Sequence, residues 1–278
     1  MPPHPRPLTS RGSECVPAQT FLLYLGIRKE SVMNHLQIKY EKEITELVQA
    51  SHRLAELGYV TSSGGNLSLR TEDDLILITP TKTPKRLVHF EDICIVNLNG
   101  ETVFAPESKK PTGETPFHVR IMNKRPDIRS VVHAHPPVLT GFAIAEPALL
   151  AQPVLPEPVL EVGPLLMVPY ETPVSEALSL QFDQVIEDSN GFLMENHGAL
   201  MCSPNGAAAG VEMMQMMECM AQSVVIAKLL GNFKPIPEKA VAELDTVIQK
   251  RALPVPGKAG KFHSVSELYA HTVKTSSK

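Results

Sequence analysis

Along residues 41–58 the apolar positions Ile44, Leu47, Val48, Leu54 and Leu57 recur at three- and four-residue spacing. This predicts an amphipathic helix, with Gly58 as its stop. The pattern then changes period. Two short β-rich runs at 67–70 and 75–79 flank the polar Thr71-Glu72-Asp73-Asp74 and predict a hairpin. A second pair, at 93–97 and 102–104, flanks Asn99-Gly100, a dipeptide suited to the left-handed positions of a tight turn, so the sheet is expected to be at least partly antiparallel. Thr115-Pro116 offers a cap and a first-turn proline for a helix to about residue 124, and a strand follows at 130–135. Prolines crowd residues 136–173, yet Leu149, Leu150, Val154, Leu155, Val159 and Leu160 are too apolar for a solvated tether. That stretch reads as an irregular connection inside one domain, with a strand at 165–168. Beyond it the pattern predicts a helix at 175–185, strands at 191–195 and 199–202, a long helix at 207–230 and a last helix at 238–250. Met213, Met214, Met216, Met217 and Met220 fall at helical spacing and read as core or subunit packing.

Composition narrows the partners. The 278 residues carry 26 Lys+Arg against 30 Asp+Glu, a formal net charge of −4, so no surplus of positive charge exists to bind nucleic acid by counterion release. Aromatic residues make up 5%, too few for base-stacking platforms. Cys15, Cys94, Cys202 and Cys219 are scattered without a CxxC pair, which predicts a reducing, cytoplasmic setting without a disulfide framework. No apolar run approaches the roughly 20 residues a membrane helix needs. Residues 1–33 are proline-bearing and patternless, and their apolar run at 21–27 lacks a signal-type cleavage site. The expected organisation is therefore a disordered or non-native extension over 1–33, one catalytic domain over 34–235, and a C-terminal helix with a flexible tail over 236–278.

Candidate chemistry lies in four places. His133 and His135 are two apart in a predicted strand, so both imidazoles project to one face. Such a pair serves either as two nitrogen ligands for a divalent metal or as hydrogen-bonded histidines. His197, between two further strands and followed by Gly198, is a third donor; three neutral histidines with an open position describe a catalytic metal site. Glu114, in Lys110-Pro111-Thr112-Gly113-Glu114, stands just before a helix, where it is either a carboxylate serving that open position or an acid complementing the helix dipole. Gly64-Gly65-Asn66-Leu67-Ser68 and Thr79-Pro80-Thr81-Lys82 are each an anion cradle or an ordinary turn.

In this order and at these separations, Gly-Gly-Asn-x-Ser, Ile-Thr-Pro-Thr, Lys-Pro-Thr-Gly-Glu, Val-Val-His-Ala-His and Asn-His-Gly resemble the class II aldolase/adducin family, the fuculose-phosphate aldolases among them. The resemblance spans about residues 40–232. It implies an α/β fold, a three-layer α/β/α domain around a mostly antiparallel sheet, assembled as a homotetramer. It also implies zinc, or else manganese, cobalt or iron, held by His133, His135 and His197, with Glu114 as general acid/base. Asn66, Thr81, Lys82, Thr112 and Gly113 would hold a substrate phosphate or other anion. The implied activity is that of a metal-dependent aldehyde-lyase, making or breaking a carbon–carbon bond in a phosphorylated ketose through a zinc-stabilised enediolate of dihydroxyacetone phosphate. Alternatives are a decarboxylase or dehydratase acting on a sugar-acid or sugar phosphate, and a non-catalytic adducin-like binding module. Lys82 stands where the aldolases have glycine, and Gly113 where they have a second serine. The aldolases' tyrosine after the His-x-His strand has no counterpart here, leaving Tyr269 as a candidate replacement.

Overall fold

The computed structural model describes residues 34–145 and 147–275; the extension expected over 1–33 lies outside the described residues. Two helices open the described chain, α1 (His35–Lys39) and α2 (Glu41–Glu56), the second burying Ile44, Leu47 and Leu54 as their spacing predicts. Strands β1 (Asn66–Arg70), β2 (Ile76–Ile78), β3 (Cys94–Val96) and β4 (Thr102–Phe104) follow. Then come α3 (Thr115–Lys124), β5 (Ser130–Ala134), α4 (Pro137–Ile144), α5 (Pro156–Glu161), β6 (Leu166–Val168) and α6 (Glu176–Gln181). The chain ends with β7 (Gly191–Met194), β8 (Gly198–Ser203), α7 (Ala207–Leu230), α8 (Glu238–Arg251) and α9 (Val265–Thr275).

The strands form one sheet in the order β4-β3-β2-β1-β5-β8-β7-β6. Every neighbouring pair is antiparallel except β6 with β7. Side chains alternate between the faces, and both faces are covered. One carries Leu67, Leu69, Leu77, Ile95, Val132 and Met201 against apolar residues of α2, α4 and α7. The other carries Ile76, Ile78, Cys94, Val131, Leu200 and Cys202 against Phe117, Ile121 and Met122 of α3 and Leu178 of α6. This is a three-layer α/β/α arrangement, as the motif resemblance implies. Of the five methionines of α7, Met213, Met214, Met217 and Met220 are buried on its packed face, and Met216 is half-buried.

Two expectations need correcting. The proline-rich connection after β5 is more regular than its composition suggests, because prolines occupy the first turns of α4 and α5, where a missing N–H costs nothing. The segment after α8 was expected to be a flexible tail, but it contains α9, whose Val265 and Tyr269 pack with Val159 of α5 and with Val241 and Ile248 of α8. A further tie comes from Arg125, which donates to the Gly257 carbonyl at 2.7 Å as well as to the carbonyls of Ile186 and Ser189 and the Asp127 carboxylate.

Candidate functional site

Three strand ends meet at one end of the sheet. Asn66, which starts β1, pairs with His133 near the end of β5, and His133 in turn pairs with Leu200 near the start of β8. His135 lies just beyond β5, where its backbone N–H donates to the Tyr59 carbonyl at 2.8 Å. His197 occupies the tight turn between β7 and β8, after Asn196 in a left-handed conformation at φ 52°. Gly198 completes that turn. A Cβ on Gly198 would sit 2.5 Å from His135 Cδ2 and 2.6 Å from the Ala134 carbonyl oxygen, so the strands approach this closely only because the residue is glycine.

These placements bring His133, His135 and His197 together, with one donor atom from each lying within 4.8 Å of the others. His133 Nδ1 faces the Ala199 carbonyl at 3.0 Å. That contact fixes the proton on Nδ1 and leaves the Nε2 lone pair facing inward, the orientation a ligand imidazole requires. Nε2 of His133 and Nε2 of His135 are 3.2 Å apart. Burial, reinforced by the neighbouring histidines, holds His133 well below the ordinary imidazole pKa, and burial followed by His197 lowers His135 to about 4. Both are therefore neutral at neutral pH, the form that binds a metal. An all-imidazole set with converging nitrogens suits zinc and the neighbouring divalent transition metals.

Glu114 completes the cluster. It occupies the N-cap position of α3 without capping it, its side chain turning inward instead. Glu114 Oε1 is 3.5 Å from His197 Nε2 and Oε2 is 3.6 Å from His133 Nε2, with the residue only 8% exposed. An acid placed there merely to complement the helix dipole would face solvent; this one faces the imidazoles.

The residues expected to hold an anion are brought together only in part. The loop after β2 and the loop before α3 do meet: Thr112 N–H donates to the Thr79 carbonyl at 3.1 Å, and Thr81 N–H to the Lys110 carbonyl at 3.0 Å. Thr112 is buried, and its hydroxyl accepts from the Glu114 N–H at 3.4 Å. Gly113 leaves room for Val174, which stands where a Cβ would come within 2.7 Å of Val174 Cγ1. Asn66 has its amide committed within the protein, donating to Glu114 Oε2 at 2.7 Å. Lys82 is exposed, in a left-handed conformation at φ 54°. Three residues further on, Lys85 is buried, 1% exposed, and donates to the Thr83 carbonyl at 3.1 Å. Burial lowers its pKa to about 8 while Glu114 holds it up, and its charge in turn depresses His135. Sequence reading missed Lys85 because nothing in Thr83-Pro84-Lys85-Arg86 distinguishes a buried lysine from an exposed one. Tyr269 is 7% exposed within the cluster of α5, α8 and α9, and burial raises its pKa, which makes it a packing residue rather than a proton donor to this site.

Comparison with known proteins bears on the family and the fold. Residues 45–225 match the model of the Class II Aldolase and Adducin N-terminal domain. An L-fuculose phosphate aldolase from Methanococcus maripaludis is 35% identical over 156 residues, 56% of this chain and 82% of the relative. A 3-oxo-tetronate 4-phosphate decarboxylase from Pectobacterium atrosepticum is 32% identical over 177 residues, 62% of this chain and 79% of the relative. Among solved structures, YgbL from Klebsiella pneumoniae superposes with a TM-score of 0.67 at 27% identity, covering 73% of this chain and 98% of that one. An L-fuculose 1-phosphate aldolase superposes at 0.65 with 23% identity, covering 76% and 97%, and so supports the fold alone. With the matched region covering most of the chain, and with its strands, histidines and acid placed as described, the protein belongs to the class II aldolase and adducin family.

Proposed function

We propose that the protein is a metal-dependent lyase acting on a small phosphorylated sugar or sugar acid, with Glu114 moving a proton at the carbon next to a carbonyl. The observation that carries this is the Glu114 carboxylate, buried within 3.5–3.6 Å of two imidazoles of the histidine cluster. A scaffold has no use for a buried acid in that position. His133, His135 and His197 would hold the metal, which when bound supplies a Lewis acid that stabilises negative charge developing on substrate oxygens. Glu114 accepts the α-proton and returns it. Lys85, together with the Thr112 hydroxyl, offers charge and a donor to the substrate's anionic group, the role first expected of Lys82.

Cleavage of a 2-ketose 1-phosphate between its third and fourth carbons leaves the enediolate of dihydroxyacetone phosphate. Loss of carbon dioxide from a 3-oxo-tetronate 4-phosphate leaves the same species. Aldolase and decarboxylase therefore share their proton-transfer half, and the relatives support both. The buried Lys85 favours keeping the decarboxylase beside the aldolase, because an ammonium suits a carboxylate as well as a phosphate. Exposed Ile226, Leu229 and Leu230 at the end of α7 support a homo-oligomer.

Deuterium incorporation into dihydroxyacetone phosphate, followed by proton NMR with zinc- or manganese-loaded protein, tests the shared step. The expected result is exchange in the parent and its loss in Glu114→Ala. Absence of exchange in a folded parent that takes up no metal would instead support the adducin-like module. Products from ketose 1-phosphates and 3-oxo-sugar-acid phosphates, an aldehyde or carbon dioxide, then separate the two lyase reactions.

A further inference from the structure

Glu114 is one end of a buried chain of polar side chains. Asn66 Nδ2 donates to Glu114 Oε2 at 2.7 Å, Asn66 Oδ1 is 2.5 Å from His118 Nε2, and His118 Nδ1 is 2.7 Å from Ser68 Oγ. Two elements contribute: Ser68 and Asn66 lie on one face of β1, His118 comes from the packed side of α3, and Glu114 is the N-cap residue of that helix. His118 and Ser68 are completely buried.

One charge sets the direction of every proton in this chain. A carboxylate accepts, so Asn66 must present its NH2 group to Glu114 and its carbonyl oxygen to His118. His118 must then donate from Nε2. Burial pushes its pKa down to about 3, so it is neutral and carries a single proton. Its Nδ1 must therefore accept, and the Ser68 hydroxyl must donate. All three hydrogen bonds point toward Glu114, an arrangement in which each bond polarises the next.

A histidine in a core can be mere filling, and His118 does stack on Phe117 with ring centroids 4.7 Å apart. Filling does not account for both ring nitrogens being engaged in one line that ends at the acid. Nor does it account for the difference between the carboxylate oxygens: each lies 3.5–3.6 Å from an imidazole nitrogen, but Oε2 also accepts from the Asn66 amide.

We propose that His118, oriented by Ser68, is a positioning residue that clamps the Asn66 amide, so that Oε2 of Glu114 is held and Oε1 is the oxygen that transfers the proton. This rests on the assignment of Glu114 as the proton-transfer group.

The first test needs no activity. In the full chain labelled with 15N-histidine and kept metal-free, His118 gives a neutral Nε2–H resonance, assigned by its loss in His118→Gln. Glu114→Gln removes the charge at the far end of the chain, and the resonance is expected to shift. A histidine serving only to fill space would leave it unmoved, which overturns the proposal. In the metal-loaded protein, His118→Phe is expected to slow deuterium exchange into dihydroxyacetone phosphate about 10- to 100-fold in kcat, with KM and metal content within about twofold of the parent. His118→Gln keeps an N–H near the Nε2 position and is expected to recover most of that loss. A folded, metal-loaded His118→Phe that exchanges at the parental rate overturns the proposal. Parental exchange by Glu114→Ala would sink the assignment of Glu114 instead, and is distinguished by the resonance shift, which does not depend on turnover.

Discussion

Lys85→Met exchanges a buried ammonium for an apolar chain of similar length. Among the described residues the parent ammonium donates to the Thr83 carbonyl at 3.1 Å, and burial lowers its pKa from the ordinary 10.5 to about 8. The unfolded chain therefore holds this proton more tightly than the folded one. The resulting penalty on the native state is fully present below pH 8 and disappears as the pH rises from about 8 to 10.5. At ~1.4 kcal/mol per pH unit the penalty amounts to about 3 kcal/mol at neutral pH. Losing the bond to Thr83 gives back about 1 kcal/mol. Lys85→Met should thus stabilise the metal-free protein by roughly 2 kcal/mol at pH 7, and the gain should vanish or reverse slightly near pH 10.5. Urea denaturation of both proteins at the two pH values measures this directly. The same variant should raise KM for a phosphorylated substrate about tenfold or more, since a charge-assisted hydrogen bond contributes about 1.5–3 kcal/mol. A variant less stable than the parent by the same amount at both pH values would refute the reasoning, because the lysine would then be a satisfied structural group.

Three other substitutions probe the site and the framework of the fold. Gly198→Ala places a methyl 2.5 Å from His135 Cδ2, about 1 Å inside normal contact, and should weaken zinc binding about 10- to 100-fold in chelator competition; unchanged affinity would mean that the turn yields without moving the histidines. Arg125→Met strips donors from the buried carbonyls of Ile186, Ser189 and Gly257 and should cost about 3–5 kcal/mol in urea denaturation, whereas a loss under 1 kcal/mol would show that water replaces the guanidinium. Val174 holds φ at 68°, a conformation unfavourable for a β-branched residue, so Val174→Asn should gain about 1 kcal/mol, and an unchanged or lower Tm would contradict the strain.

Much of the site can be read from residue order because its ligands are anchored by strands with unambiguous patterns. Alternation puts His133 and His135 on one face of a buried strand and glycine marks the turn at His197, but it is the resemblance of the five ordered motifs to a family that joins the third histidine to the pair. Glu114 could be located but not oriented: its position before a helix fits a dipole partner equally well, and only the missing cap bond and the facing imidazoles decide. The anion cradle was the weakest point. Lys82 and Lys85 are three residues apart in an irregular loop with no period, and which of them turns inward depends on tertiary contacts that sequence does not display. His118 went unnoticed for another reason. Within α3 its spacing from Ile121 and Met122 is that of a core residue, and its chemistry comes from two residues of β1 some fifty positions earlier.

The central pairing of β5 with both β1 and β8 also governs when the site can exist during folding. Asn66, His133 and Leu200 become neighbours only through contacts between distant parts of the chain, a topology of high contact order in which loop closure precedes any reward. His133 and His135 come from one short segment, but His197 joins them only by way of the β5–β8 pairing. A metal that needs all three histidines would therefore not nucleate the fold as it does in a zinc finger; it would be captured late, by a sheet whose middle is already built. Uptake of metal during refolding would accordingly report completion of the sheet, and variants that slow the β1–β5–β8 pairing would delay it by the same factor.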